Sequence, residues 1–149
     1  MDKVKSKYDK LVQAVKTLEQ AIEDLNNIDK IIDRSIERDS EAFLNVVGIY
    51  RDSIVKRFEY CVDLLWKYVR LYLENVKQLS IETNTPKDSF RHAFQARILT
   101  KEETELALEM VQSRNQTSHI YKEEIADFVA KRAPKYYGLM LVFLSKTRP

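Results

Sequence analysis

Val4-Lys5-Ser6-Lys7-Tyr8-Asp9-Lys10-Leu11-Val12-Gln13-Ala14-Val15-Lys16-Thr17-Leu18, running on to Ile22 and Leu25, is the stretch whose reading decides the fold. Val4, Tyr8, Leu11, Val15, Leu18, Ile22 and Leu25 recur at steps of four and three, with Lys7, Lys10, Lys16, Glu19, Glu23 and Asp24 between them. An α-helix, with about 3.6 residues per turn, brings such positions onto one apolar face. The stripe predicts a long N-terminal helix over residues 3–33. It suits packing within the domain and equally a seam against a second protomer.

Working outward, Arg34–Ser40 loses the stripe and reads as a connection. Ile54, Phe58, Cys61, Leu65, Tyr68, Tyr72, Val76 and Leu79 then restore the same steps, predicting a second long helix over roughly residues 41–80. Two long helices joined by a short connector pair antiparallel. Thr85 is an N-cap candidate, with Pro86 at the first helical position and Asp88 near the positive helix end, so a short helix is expected from Pro86 to about Ile98. Thr100-Lys101-Glu102-Glu103 is a capping box that opens another helix. Asn115-Gln116-Thr117-Ser118 is poor helix interior, so that helix is expected to stop near Arg114–Asn115. A last helix begins near Tyr121, and Pro134 is expected to kink or split it. Only two glycines and three prolines punctuate the chain, and no β-type alternation appears. The reading is all-α, an up-and-down four- or five-helix bundle forming a single domain over residues 1–149.

Composition narrows the function. A chain of 149 residues can bury about 68–70% of the surface its unfolded form exposes, so it needs no staples. The lone Cys61 cannot form an internal disulfide and falls on the apolar stripe, which reads as a packed thiol in a reducing compartment. The charged start lacks a signal-peptide core, and the longest apolar run, Tyr136–Leu144, is too short to span a bilayer. A cytoplasmic protein with no membrane partner is therefore expected. A net charge of +2, from 25 basic and 23 acidic residues, argues against a long electrostatic grip on duplex DNA. Neither glycine has the companions of a phosphate loop. His92, His119 and Cys61 are scattered, so no metal and no cofactor are expected.

What remains is Arg114-Asn115-Gln116-Thr117-Ser118-His119-Ile120-Tyr121, read as a motif loop over residues 114–121. Arginine offers a fixed fork of donors that matches a phosphate. Histidine titrates near neutral pH and can move a proton to or from a ribose hydroxyl. Together they suffice for metal-independent RNA cleavage, in which a 2′-hydroxyl attacks its own phosphate and Arg114 holds the developing charge. The bland alternative is a solvated polar turn.

This segment resembles the Arg-x4-His-x-Tyr motif of the HEPN superfamily, including an asparagine after the arginine. Arg57-Phe58-Glu59-Tyr60, Leu64-Leu65-Trp66-Lys67 and Tyr72-Leu73-Glu74 resemble the second helix of its nucleotidyltransferase substrate-binding branch. Thr85-Pro86-Lys87-Asp88-Ser89-Phe90-Arg91-His92-Ala93-Phe94 resembles a further segment of that branch. The resemblance implies a helical homodimer whose motif loops face one cleft and whose partner is a minimal nucleotidyltransferase, in a toxin–antitoxin module. It implies that Arg114 holds phosphate, Asn115 orients the loop or substrate, His119 is the acid/base group and Tyr121 is the hydroxyl that becomes adenylylated. Glu59 would orient one of these polar groups if it faces the cleft. Three functions follow: a nucleotide- or substrate-binding partner of a nucleotidyltransferase, a metal-independent endoribonuclease toxin using Arg114 and His119, or a purely structural helical adaptor.

Overall fold

The computed structural model describes residues 2–32, 34–119 and 122–149, with the side chain of His119 outside the description. Six helices, and no strand, occur among the described residues: α1 (Asp2–Asn26), α2 (Ile28–Ile31), α3 (Glu41–Asn75), α4 (Pro86–Gln95), α5 (Lys101–His119) and α6 (Glu123–Lys146). The four long ones run up and down. Tyr8 of α1 meets Tyr68 of α3 with ring centroids 5.5 Å apart, while Thr17 and Asp24 lie beside Ser53 and Arg57, so α1 and α3 are antiparallel as expected. Ion pairs Glu109–Arg132 and Glu103–Lys146 set α5 antiparallel to α6.

The predicted stripe forms the core as far as Tyr72, while Leu79, past the end of α3, is exposed. Val4, Leu11, Val15, Leu18 and Ile22 of α1 are buried with Ile54, Phe58, Cys61, Leu65, Tyr68 and Tyr72 of α3. From α6 come Tyr136, whose ring stacks 5.2 Å from that of Phe58, and Phe143, which meets Phe90 of α4 at 5.3 Å. The Tyr8 hydroxyl donates to the Leu144 carbonyl at 2.9 Å and the Tyr68 hydroxyl to that of Thr147, tying the end of α6 to α1 and α3. Cys61 is fully buried, and that burial pushes its thiol up to about 12.

Element ends show where local chemistry overrides the stripe. The helix expected over residues 3–33 breaks at Asn27, and α2 supplies one further turn; residue 33 lies outside the described residues. Asn26-Asn27 competes for backbone hydrogen bonds, and the break turns Ile28 and Ile32 back into the core. The second helix stops at Asn75 rather than 80, because Gln78 turns left-handed (φ 55°) and the Leu79 N–H closes onto the Leu73 carbonyl. Arg97 (φ 63°) ends α4 in the same way, so that Ile98 and Leu99 are buried. The capping box is formed: the Glu103 N–H donates to Thr100 Oγ1 at 3.1 Å and the Thr100 N–H to Glu103 Oε1 at 2.9 Å. Thr85 caps α4, accepting from the Asp88 N–H at 3.2 Å. Pro134 does not split α6. Its neighbours Val129, Ala130, Ala133 and Tyr136 are all buried, and packing carries the helix across the missing donor.

Candidate functional site

Glu59 and Asp63 stand one turn apart on α3 and face Arg114 of α5. Asp63 takes one edge of the guanidinium, accepting from Nε at 3.2 Å and Nη2 at 3.0 Å, and Glu59 Oε2 accepts from Nη1 at 2.9 Å. Such two-point pairing fixes the plane of the guanidinium as well as its position. Thr117 Oγ1 lies 3.0 Å from Glu59 Oε2 and 2.9 Å from the Arg114 carbonyl, so its single proton serves one of them at a time. Lys56 Nζ lies 3.6 Å from the other Glu59 oxygen. The Asp63 hydrogen bond, with the charges of Asp63 and Glu59, outweighs partial burial and raises the Arg114 pKa above its ordinary value, so the group stays charged.

Arg114 is not in a loop. The reading of residues 114–121 as a motif loop is corrected at residues 114–119, through which α5 continues; residues 120 and 121 lie outside the described residues. The polar run that argued for a loop is accommodated inside the helix: the Thr117 and Ser118 hydroxyls fold back to within 2.9 Å of the Arg114 and Asn115 carbonyls. Ser113 and Thr117 are also held from outside, at Tyr136 and Glu59. Asn115 is exposed on this last stretch. Tyr121 and the side chain of His119 lie outside the described residues, so of the four sequence-predicted site residues the structure places two.

Two further arginine clusters position this end of α5 and the start of α6. Arg51 of α3, almost fully buried, donates from Nη1 to Glu123 at 3.3 Å and Asp127 at 3.1 Å, and from Nε to Asp52 at 3.2 Å. Burial alone would lower its pKa; the hydrogen bonds to Asp127, Glu123 and Asp52 outweigh that and raise it. Between α5 and α6, Arg132 grips Glu109 at 2.7 Å, and the Tyr136 hydroxyl lies 2.7 Å from Glu109 and 2.8 Å from Ser113, the residue before Arg114. The last turns of α5 therefore meet α3 near Glu59, and the first turn of α6 meets it at Arg51. Among the described residues, no group of three His, Cys, Asp or Glu side chains is arranged to hold a metal, and no helix is long and apolar enough to cross a membrane.

The profile of the family described as "nucleotidyltransferase substrate binding protein like" matches residues 6–148. The chain belongs to that family. No curated protein matches it. Among solved structures, a protein from Thermus thermophilus is 30% identical, with a TM-score of 0.71 over 93% of this chain and 99% of that one. The tri-AMPylated Shewanella oneidensis HEPN toxin, solved in complex with MNT antitoxin, is 18% identical with a TM-score of 0.63, covering 91% of this chain and 94% of the toxin. A toxin–antitoxin solved with AMP-PNP is 16% identical with a TM-score of 0.64, covering 93% of this chain and 97% of that one. These likenesses give this nucleotidyltransferase substrate-binding-like protein a HEPN-type fold.

Within that fold, sequence reading found Arg114 and suspected Glu59, and it missed Asp63, Arg51 and the Glu109–Arg132 pair. A signal for Asp63 was available. Carboxylates four apart on a long helix share a face, and a shared face of negative charge calls for a cation from a neighbouring element.

Proposed function

We propose that this chain is the HEPN partner of a minimal nucleotidyltransferase in a toxin–antitoxin module, and that the Tyr121 hydroxyl is the group the partner modifies. In that step the tyrosine oxygen attacks the α-phosphorus of ATP, a phosphodiester to AMP forms, pyrophosphate leaves and the phenol proton passes to solvent or base. The observation that carries the reading is the Arg114 guanidinium, held in one orientation by Glu59 and Asp63 at the head of the Arg-x4-His-x-Tyr segment. A solvated turn needs no such scaffold. The family match and the two nucleotide-linked toxin–antitoxin neighbours point the same way.

A homodimer is part of the proposal. Phe43, Leu44, Val46, Val47, Ile49 and Tyr50 crowd the first turns of α3, yet none of residues 41–50 is buried. Leu44 and Ile49 are 59% and 67% exposed, and Phe128 on α6, one residue past Asp127, is 48% exposed. Apolar surface of this extent beside Arg51 and the start of α6 suits a second copy that brings the two motifs together. The endoribonuclease reading is favoured by the same fixed Arg114 fork, with His119 as acid/base group and Asn115 contacting substrate.

Co-expression with each minimal nucleotidyltransferase found in the same genome, followed by intact and peptide mass spectrometry, is the test. Adenylyl mass located on Tyr121 and absent from Tyr121→Phe is expected. An undiminished gain in Tyr121→Phe, or no gain and no complex, overturns the proposal. Incubation with RNA in chelator, with cyclic-phosphate ends produced by the unmodified chain and lost in Arg114→Ala and His119→Ala, tests the nuclease reading.

A further inference from the structure

We infer that the groove between α1 and α3 docks an acidic segment of another protein that carries an apolar anchor. The groove holds about 200 Å³ and is lined by Lys3, Lys7, Leu64, Lys67, Tyr68 and Leu71. That is smaller than the roughly 300–1,000 Å³ of small-molecule sites and matches one or two apolar side chains. Its floor is Leu64, Leu71 and the buried Tyr68, whose hydroxyl is committed to the Thr147 carbonyl. The floor thus has no polar group left to read a nucleobase or a sugar, and it rewards only apolar contact.

The rim decides the sign of the partner. All three charged residues lining the groove are lysines, and none forms an ion pair with a described residue. Lys3 and Lys7 also sit in the first two turns of α1, where the positive end of the helix dipole disfavours cations. This local surplus occurs in a chain whose net charge is only +2. A carboxylate-bearing segment relieves both repulsions at once. Lys3 and Lys7 are one helical turn apart, the spacing at which acids four apart on a partner helix would meet them.

A nucleic acid fits the groove less well. Single strands are held by stacking on open aromatic faces and by arginine forks. Here Tyr68 is buried, Lys67 Nζ lies 5.7 Å from the Trp66 ring centre, and the groove has no arginine. Lysines are mobile point charges that suit carboxylates at variable spacing. The groove lies on α3 residues 64–71 against the start of α1, the turns that follow Asp63, and its lining includes none of Glu59, Asp63 and Arg114, so docking here asks nothing of the chemistry of Arg114 or Tyr121.

Selection of a random dodecapeptide display library on the full chain, with Lys7→Glu/Lys67→Glu as counter-target, tests it. Both substitutions are on the surface, and circular dichroism with a thermal melt confirms that the fold persists. Peptides retained by the unmodified chain are expected to combine Asp or Glu with Leu, Ile or Phe at helical spacing. Synthesised and labelled, they should bind the double variant at least about tenfold more weakly and lose affinity as salt rises. Leu64→Ala and Leu71→Ala should weaken them without altering the salt slope. Selected peptides that lack acids or bind the double variant equally well overturn the inference. So does a labelled oligouridylate that binds through these lysines while no peptide does.

Discussion

Removing Glu59 should cost more than removing Asp63, although Asp63 makes more hydrogen bonds to Arg114. Asp63 supplies two contacts, but its side chain is 42% exposed, and its loss lets water take the same guanidinium edge. Screened pairs of this kind contribute about 0.2–1 kcal/mol. Glu59 is only 12% exposed and accepts from Arg114 and Thr117 while lying near Lys56. Loss of a charged acceptor serving two partly buried donors costs about 1.5–3 kcal/mol. At about 2–4 °C per kcal/mol for a chain of this size, Glu59→Ala should lower Tm by about 3–12 °C and Asp63→Ala by about 4 °C or less. Urea titrations of both variants, of Arg114→Ala and of the Glu59→Ala/Arg114→Ala double variant check this. The double variant should be less destabilised than the sum of its parts by at least about 0.5 kcal/mol, because each single variant already breaks the shared contact. Additivity of the two, or a larger loss from Asp63→Ala than from Glu59→Ala, would refute the argument that burial rather than bond number ranks these carboxylates.

Other consequences are open to measurement. Gln116→Pro, at an exposed position of α5, should cost about 3 kcal/mol and lower Tm by roughly 6–12 °C, because a helix interior rejects proline; an unchanged Tm would restore the loop reading. Arg51→Ala should cost about 1–2 kcal/mol, since Asp52, Glu123 and Asp127 are about half exposed or more and re-solvate, and hydrogen exchange should speed up in the first turns of α6 before it changes in α3. Burial raises the Cys61 thiol from 9.0 to about 12, and the hydrogen bond to Glu19 raises Tyr137 from 10.0 to about 12. In both groups the folded state favours the protonated form, so their contribution to stability is complete below the unfolded pKa values and is lost between about pH 9 and 12. Urea midpoints should be flat from neutral pH to about 9 and fall above it, with Tyr137→Phe flattening the upper part of the fall. For the same reason the thiol should react with a disulfide reagent at pH 8 only after denaturant is added.

How much of this was legible in the sequence depended on range. Stripes of Val, Leu and aromatic residues at steps of three and four are local, so α1, α3 and their antiparallel pairing could be read directly, as could the Thr85 and Thr100 caps. The misread ends share a different physics. Asn115-Gln116-Thr117-Ser118 has weak intrinsic helix preference, and what keeps it helical is partly distant in sequence: Glu59 on Thr117, and Tyr136 on Ser113. Pro134 is likewise carried by burial on both sides of it. Left-handed Gln78 and Arg97 are not residues that advertise such a conformation, so the early ends of α3 and α4 left no mark in composition. At the site, Arg114 was found by its motif, whereas Asp63 was invisible because only the fold sets it opposite a guanidinium.

The same geometry says how an anion would have to approach Arg114. One arginine charge faces two carboxylates, and Lys56 at 3.6 Å from Glu59 brings the group only to neutrality, so it has no net charge to draw a phosphate in from long range. The two edges of the guanidinium differ, however. Nη1 is committed to the more buried Glu59, while the Nε and Nη2 edge is committed to the more exposed Asp63, a partner that water or another anion can replace. A phosphate entering the site would therefore displace Asp63 and leave Glu59 in place to hold the plane. Asp63→Asn should then raise the affinity of the chain for a short RNA or for inorganic phosphate by several-fold, because it removes the competing charge, while Glu59→Gln should lower it by loosening the fork. Isothermal titration at low salt distinguishes the two, and equal responses of the two variants would mean that Arg114 is a structural tie between α3 and α5 rather than an anion site.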